Sequence, residues 1–104
     1  MNAGSNFFNT LVDNESRFRV DLYRSGELYE QGEDLFRFPD HAIEHCKTIL
    51  SQPWRWTDDP EGTYELRIKA GHLAGGDKPF FEEDDFVKWN TFSVERPTMI
   101  RILR

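Results

Sequence analysis

The sequence predicts an α+β fold: a small two-layer sandwich in which an antiparallel sheet of four to five strands packs against one main amphipathic helix. Two observations support this prediction. Segments in which polar and apolar residues alternate, the period of half-buried strands, lie on both sides of a segment whose apolar residues recur every three to four positions. The expected order is therefore strand, strand, helix, strand and one or two further strands, and a helix on a hairpin is a minimal two-layer core.

The length of the chain, 104 residues, is typical of one domain. We expect residues 17–104 to form a single α+β domain. Residues 1–16 are predicted to be an N-terminal segment that is either flexible or a short docking helix. Its apolar residues stand at helical spacing: Phe7, Phe8, Leu11 and Val12.

The first two strands are predicted to form a hairpin. Positions 17–23 alternate, and their apolar set is Phe18, Val20 and Leu22. Ser25-Gly26 supplies a turn, because glycine adopts a positive φ without steric cost. The chain returns through residues 28–29, and we expect a bulge or bend near Gly32 before the second strand resumes over residues 35–38.

The helix is predicted to follow Pro39, with Asp40 as its N-cap, because a carboxylate can accept hydrogen bonds from the free amides of the first turn. Pro53 ends the segment, since the residue before a proline avoids helical geometry. The apolar face of this helix consists of Ala42, Ile43, Cys46, Ile49 and Leu50.

The second half of the chain is less regular. Residues 64–70 alternate and predict a third strand, whereas residues 71–85 are predicted to be a long loop. Residues 86–95 are ambiguous, although residues 91–95 favour a strand, and residues 99–103 predict a final strand. The predicted core is Phe18, Val20, Leu22, Ile43, Cys46, Ile49, Leu50, Leu66 and Ile68.

Charge and composition limit the classes of function. Thirteen basic and nineteen acidic residues give a net charge of −6, which argues against broad contact with a phosphate backbone, so we expect no direct binding of nucleic acid. No apolar run approaches the length of a membrane helix, and the first residues have neither the basic nor the apolar part of a secretory signal, so we expect none. We therefore expect a soluble, cytoplasmic chain. The single cysteine, Cys46, excludes an internal disulfide.

One short pattern carries a possible metal site. Residues 41–45 match H-x-x-E-H, the inverted zinc-protease motif, which places His41 and His45 one helical turn apart with Glu44 nearby as a base. One alternative function is therefore a small metal-dependent hydrolase centred on these three residues. Nothing in the sequence matches the distant acidic ligand of those enzymes. We therefore expect an exposed polar helix face, with no metal, no cofactor and no enzymatic activity.

Aromatic and acidic residues in two places predict a surface that binds a partner. Trp54 and Trp56 flank an arginine, and Phe80-Phe81 precedes four consecutive carboxylates. Buried aromatics anchor interfaces, while acidic residues steer association with a basic partner. The alternative is that the tryptophans complete the core and the acidic run is solvated. The predicted contact residues are Trp54, Trp56, Phe80, Phe81, Glu82, Glu83, Asp84 and Asp85.

The short, acidic, aromatic-rich profile is similar in type to phage-encoded anti-CRISPR inhibitors, immunity proteins and other small blocking proteins. No family motif carries this similarity. Our leading hypothesis is a protein-binding module, an inhibitor that competes with nucleic acid for a basic groove on a protein partner. A third hypothesis is a structural subunit that pairs through an edge strand, the C-terminal one, and so forms a homo-oligomer.

Overall fold

The computed structural model describes residues 15–73 and 78–103, with residues 83 and 84 described by their backbone alone. One antiparallel sheet of five strands, in the order β2-β1-β3-β4-β5, carries a helix on one face. The predicted α+β class and the predicted order of elements are confirmed. The elements are β1 (Ser16–Arg24), β2 (Glu27–Glu30), α1 (Pro39–Leu50), a short 3-10 helix (Pro53–Trp56), β3 (Gly62–His72), β4 (Phe80–Glu95) and β5 (Met99–Leu103).

The predicted N-terminal segment, residues 1–16, lies outside the described residues except for its last two. Ser16 is buried and already belongs to β1, so the first strand begins one residue earlier than predicted.

The hairpin of β1 and β2 is confirmed, but the prediction that its second strand resumes over residues 35–38 is wrong, because β2 ends at Glu30 and Phe36 forms only an isolated bridge with β1. Its two-residue turn consists of Ser25 and Gly26, whose φ angles are 53° and 82°. Positive φ at both central residues is the type I′ geometry, whose twist matches that of the flanking strands.

The irregularity of the second strand lies at Tyr29, because Leu22 pairs with Glu30 and Tyr23 with Leu28. The chain then passes close to β1 at Gly32. A Cβ at this position would lie 2.1 Å from the carbonyl oxygen of Val20, so only glycine fits there. The amide of Gly32 donates a hydrogen bond of 3.0 Å to the carboxylate of Asp21. The chain then rejoins β1 through Phe36, which exchanges backbone hydrogen bonds of 2.7 and 2.8 Å with Phe18.

The start of α1 differs from the prediction. Phe38, in extended conformation, occupies the N-cap position and Pro39 the first turn, and no side chain caps the helix. The prediction that Asp40 is the N-cap is therefore wrong. Asp40 lies within the first turn, where its negative charge still interacts favourably with the helix dipole.

The core lies between α1 and one face of the sheet. Ile43 and Leu50, predicted for its centre, pack only against its edge. Trp56, Tyr64 and Phe92 form a compact aromatic cluster, with ring centroids 5.2–5.7 Å apart. The buried apolar residues are Phe18, Val20, Leu22, Ala42, Cys46, Ile49, Trp56, Tyr64, Leu66, Ile68, Ala70, Phe92 and Val94.

The long loop predicted over residues 71–85 is wrong, because β3 continues to His72 and β4 already begins at Phe80. The acidic run is accommodated as a bulge within β4. Between the pairs Lys69↔Phe86 and Gly71↔Phe81, four residues of β4 stand opposite the single residue Ala70. A strand that loops out four residues does not show continuous alternation.

A second irregularity explains why residues 86–95 were ambiguous. Lys88 pairs with Arg67 and Asn90 pairs with Leu66, so Trp89 is an extra residue on β4. The faces of the strand exchange at this point, which breaks the period of two.

Within residues 15–73 and 78–103, the structure contains no helix with the length and apolarity needed to cross a membrane.

Candidate protein-binding surfaces

The edge strand β5 is the most apolar exposed element in the described part of the chain. Arg101 is its only polar residue. Met99 and Leu103 are 49 % and 38 % exposed, and Ile102 is 44 % exposed. In the register with β4, Met99 and Leu103 lie on the face opposite to that of Ile102, so the strand exposes apolar side chains on both sides of the sheet.

This exposure follows from where α1 lies. The helix packs mainly on β1 and β3, and the fully buried residues on its side of the sheet end with Phe92 and Val94 on β4. Beyond them, a shallow groove of about 400 Å³ opens between the C-terminal end of α1 and strands β4 and β5. Its apolar lining consists of Leu50, Trp89, Ile100 and Ile102.

The opposite edge of the sheet is different. Strand β2 has only four residues, and a glutamate stands at each end, Glu27 and Glu30. Short length and charge at an edge discourage pairing with another chain. The hydroxyl group of Tyr29 donates a hydrogen bond of 2.8 Å to Asp59, which holds this edge against the body of the domain. That hydrogen bond, with desolvation, raises the pKa of Tyr29 to about 12.

The structure separates the two predicted tryptophans. Trp54 is 68 % exposed, whereas Trp56 is 2 % exposed and belongs to the aromatic cluster of the core. The indole nitrogen of Trp56 donates to the carbonyl oxygen of Ile49 at 3.4 Å. Trp56 therefore presents no surface to a partner in this fold, and only Trp54 is available for contact.

Phe80 and Phe81 also differ from one another. Phe80 is 64 % exposed. The ring of Phe81 lies over Gly71, where a Cβ would be 2.8 Å from it, and the guanidinium carbon of Arg19 lies 4.3 Å from the ring centroid. Phe81 thus packs on the sheet face opposite α1, and Phe80 is the ring that remains open to solvent.

The acidic run lies on the bulge of β4. Glu82 is exposed and Asp85 is half-buried, while the side chains at positions 83 and 84 lie outside the description. The prediction that Glu82, Glu83, Asp84 and Asp85 form one contact surface stays a prediction.

The residues of the H-x-x-E-H pattern do not share one environment. His41 is exposed and its ring meets that of Phe38 edge-on at 5.7 Å. Glu44 forms an exposed ion pair of 3.2 Å with Lys47. His45 is half-buried, with its ring 5.2 Å from that of Phe36, and burial lowers its pKa. In the part of the chain that the structure describes, no group of three or more potential metal ligands comes together.

The single thiol group lies in the core. Cys46 is completely buried, and burial raises its pKa to about 12. The thiol is therefore protonated at neutral pH and has little nucleophilic character.

The sheet face opposite α1 is basic, a feature that the net charge of the chain conceals. Arg67 lies between the rings of Tyr23 and Phe86, with its guanidinium carbon 3.7 and 4.3 Å from their centroids. The alternation of β1 and β3 could have revealed this face, since their outward positions are rich in arginine and lysine. Its charged residues among the paired, described strands are Arg17, Arg19, Arg67, Lys69, Lys88 and Arg101, with Asp21, Glu65 and Glu95.

A pocket of about 250 Å³ lies on the helix side of the sheet, where the segment after β2 passes α1 and the 3-10 helix. Sequence reasoning did not find it, because its lining comes from five elements that only the fold brings together. Core side chains form its floor and charged side chains its rim. The floor consists of Val20, Leu22, Ile49, Trp56 and Leu66, and the rim of Glu30, Glu33, Asp34, His45 and Arg55.

Comparison of the chain with protein-family models, with curated proteins and with solved structures finds no match.

Proposed function

We propose that this chain is a small acidic protein-interaction module that pairs with a second copy of itself by extending its sheet at β5. The observation that carries this proposal is the exposure of apolar side chains on both faces of an edge strand, Met99 and Leu103 on one face and Ile102 on the other. The edge of a sheet presents free N–H and C=O groups that act as a template for another strand.

Self-pairing at this edge would bury the exposed apolar residues. Two copies of β5 that meet around a twofold axis form an isologous interface, in which each residue contacts the same patch of the other copy. A register centred on Ile102 places Arg101 opposite Leu103 of the second copy and avoids two opposed guanidinium groups. The groove beside Leu50 and Trp89 extends the same apolar surface.

A charge on the apolar edge tests this proposal. Ile102→Lys places an ammonium group at the centre of the interface, and sedimentation velocity over a range of concentrations measures self-association. We expect the wild-type chain to dimerise and the variant to remain monomeric. Circular dichroism checks that the variant keeps its fold, which the exposed position of Ile102 favours.

The matched control is Leu28→Lys on β2, the other edge of the same sheet, where the side chain is 51 % exposed. This variant should dimerise like the wild type. A wild-type chain that stays monomeric at every concentration contradicts the proposal, and so does an Ile102→Lys chain that dimerises normally.

A second candidate follows from the bulge of β4. We propose that the acidic run and the exposed ring of Phe80 contact a basic protein partner, in the manner of a blocking protein that occupies a nucleic-acid-binding groove. The support is that four carboxylate-bearing residues loop out next to an aromatic ring that is free to be buried. Capture of a basic partner from cell extract, lost in Glu82→Lys and reduced in Phe80→Ala, tests this function.

A further inference from the structure

A buried lysine without a counter-ion lies in the basic sheet face opposite α1. Lys69 of β3 is only 7 % exposed. Its ammonium group forms no hydrogen bond or ion pair with any residue in the described ranges 15–73 and 78–103. Lysine is almost never buried to this degree unless it is paired. The fold therefore holds a positive charge at this position without supplying the negative charge that its burial requires.

The neighbours of Lys69 add positive charge and do not neutralise it. Arg19 of β1 stands directly opposite Lys69 in the antiparallel register, and like charges at such a pair are destabilising. Arg17 and Arg67 occupy the positions two residues away on the same face. The carboxylate of β1 on this face, Asp21, is already engaged by two hydrogen bonds from Arg19. An anion from outside the described chain would relieve this repulsion.

The ammonium group of Lys69 remains accessible although its stem is buried. Phe86 is the partner of Lys69 on β4, and Phe81 packs over Gly71, the next position of β3 on this face. Within the described residues, Nε of Arg24 is the only fully enclosed side-chain nitrogen or oxygen that lacks a hydrogen bond. The ammonium group of Lys69 therefore reaches the surface, where an ion can approach it.

Arg19 has donors left for the same ion. A guanidinium group carries five N–H donors, and Asp21 accepts from only two of those of Arg19. The guanidinium carbon lies 4.3 Å from the ring centroid of Phe81, which holds this group on the same face as Lys69. A phosphate monoester carries a charge of about −1.5 to −2 at pH 7 and three strong acceptor oxygens. It therefore matches two adjacent cations better than a single carboxylate does.

We infer that Lys69 and Arg19 bind the phosphate group of a small ligand, either free phosphate or a phosphate monoester. The ammonium group and the remaining guanidinium N–H groups would donate charge-assisted hydrogen bonds to its oxygens. The acidic run of β4 loops out beside Phe86 and would repel an extended polyanion, which favours a single phosphate group over a nucleic-acid backbone. This inference does not rest on the pairing of β5, because the site lies on β1 and β3.

A titration followed by NMR tests the inference. Inorganic phosphate is added to isotopically labelled protein at constant ionic strength, and the backbone amides of Arg19 and Lys69 are observed. We expect saturable shifts at both positions with phosphate and none with an equal addition of chloride. Methyl phosphate is the second probe. Tighter binding of methyl phosphate than of the free ion would assign the site to a monoester, and the reverse order would assign it to the ion.

A variant that keeps the stem and removes the charge tests the role of Lys69. Lys69→Met should weaken phosphate binding by about tenfold, the effect of one charge-assisted hydrogen bond. Lys47→Met is the matched control, because it changes the net charge equally on the exposed surface of α1, on the other side of the sheet. This control should bind phosphate like the wild type.

Denaturation gives a second readout. Lys69→Met removes one of two opposed like charges, so we expect it to fold at least as stably as the wild type without phosphate. Phosphate should raise the midpoint of urea denaturation more in the wild type than in this variant, because a ligand stabilises only the chain that binds it. The variant is the necessary reference, since phosphate also strengthens folding in general. If Lys69→Met does not fold, Lys69→Gln takes its place.

Three results would overturn the inference. Wild-type affinity for phosphate in the Lys69 variant would remove this lysine from the site. Shifts that rise equally with phosphate and with chloride would show that no specific anion site exists. A single-stranded oligonucleotide without terminal phosphates that binds more tightly than methyl phosphate, with the same loss in Lys69→Met, would assign the face to a nucleic-acid backbone and not to a small ligand.

Discussion

Ile102 of β5 lies directly opposite Phe92 of β4 on the helix side of the sheet, yet Phe92 is fully buried while 44 % of Ile102 is exposed. The covering layer formed by α1 and the 3-10 helix ends between these two residues. The apolar surface of the sheet therefore continues for one strand beyond the layer that protects it, and a second chain at β5 would complete that protection.

The two positions should respond differently to truncation. Phe92→Ala removes a ring from the aromatic cluster and should lower the free energy of unfolding by about 3–5 kcal/mol. Ile102→Ala should cost less than about 1 kcal/mol in dilute solution, where the chain is monomeric, because its side chain is already half in water. Urea denaturation at low concentration measures both values. Similar losses at the two positions would show that the core extends to β5.

Position 32, where the chain passes close to β1, should not tolerate a side chain. Gly32→Ala places a methyl group against the carbonyl of Val20 and disturbs the hydrogen bond to Asp21, so we expect a loss of more than about 1 kcal/mol of stability. Gly26→Asn in the hairpin turn is the control, since asparagine tolerates a positive φ and nothing lies within 4 Å of a Cβ there. An alanine variant as stable as the wild type would contradict this close approach.

Asp21 should be the most sensitive ionic position in the sheet. Its carboxylate is buried and accepts hydrogen bonds of 2.8 and 2.9 Å from Arg19 in addition to that from Gly32. Asp21→Ala leaves a guanidinium and an amide without their acceptor, so we expect about 3–5 kcal/mol of destabilisation.

Glu44→Gln breaks an exposed ion pair with Lys47 and is the matched control, with an expected effect of at most about 1 kcal/mol. Chemical denaturation compares the two variants. If both variants lose equal stability, the hydrogen bonds of Asp21 with Arg19 and Gly32 do not stabilise this part of the fold as we expect.

Stability should fall below neutral pH through His45. Burial lowers the pKa of His45 in the folded chain below the ordinary value of 6.5, so the unfolded chain binds a proton more readily. The free energy of unfolding therefore decreases as the pH falls from about 6.5 through the lower pKa of the folded chain. Above a pH of about 6.5 the contribution of neutral His45 to stability is fully present. His45→Gln should flatten this part of the stability profile, whereas the exposed His41→Gln should not. An unchanged slope in His45→Gln would contradict the burial of the ring.

The parts of the fold that could be predicted from the sequence are those in which local period and tertiary position agree. The alternation over β1 predicted its buried apolar residues, and the helical spacing over α1 predicted three of its own, Ala42, Cys46 and Ile49. Ile43 and Leu50 of the same predicted face are only partly buried. The sequence of β4 shows no continuous alternation, because its two irregularities, at residues 82–85 and at Trp89, exchange the faces of the strand.

The candidate sites were harder to predict than the fold, because the exposure of their residues depends on tertiary packing. Trp54 and Trp56 have the same local context, and only the packing of the 3-10 helix decides that one is buried and the other exposed. A short apolar run such as residues 99–103 is typical of a strand buried on both faces, so its exposure follows from the strand order alone. The pocket combines residues from five separate elements, and no local pattern marks such a site.

The most direct test of self-pairing at β5 is an isotope-filtered NMR experiment on a mixture of labelled and unlabelled chains, which detects only contacts between two molecules. The proposal predicts intermolecular contacts from the methyl groups of Ile102 and Leu103 to β5 of the second chain, with none at Leu28 on the opposite edge. A concentrated sample that shows no intermolecular contact, or shows contacts only at β2, would contradict it.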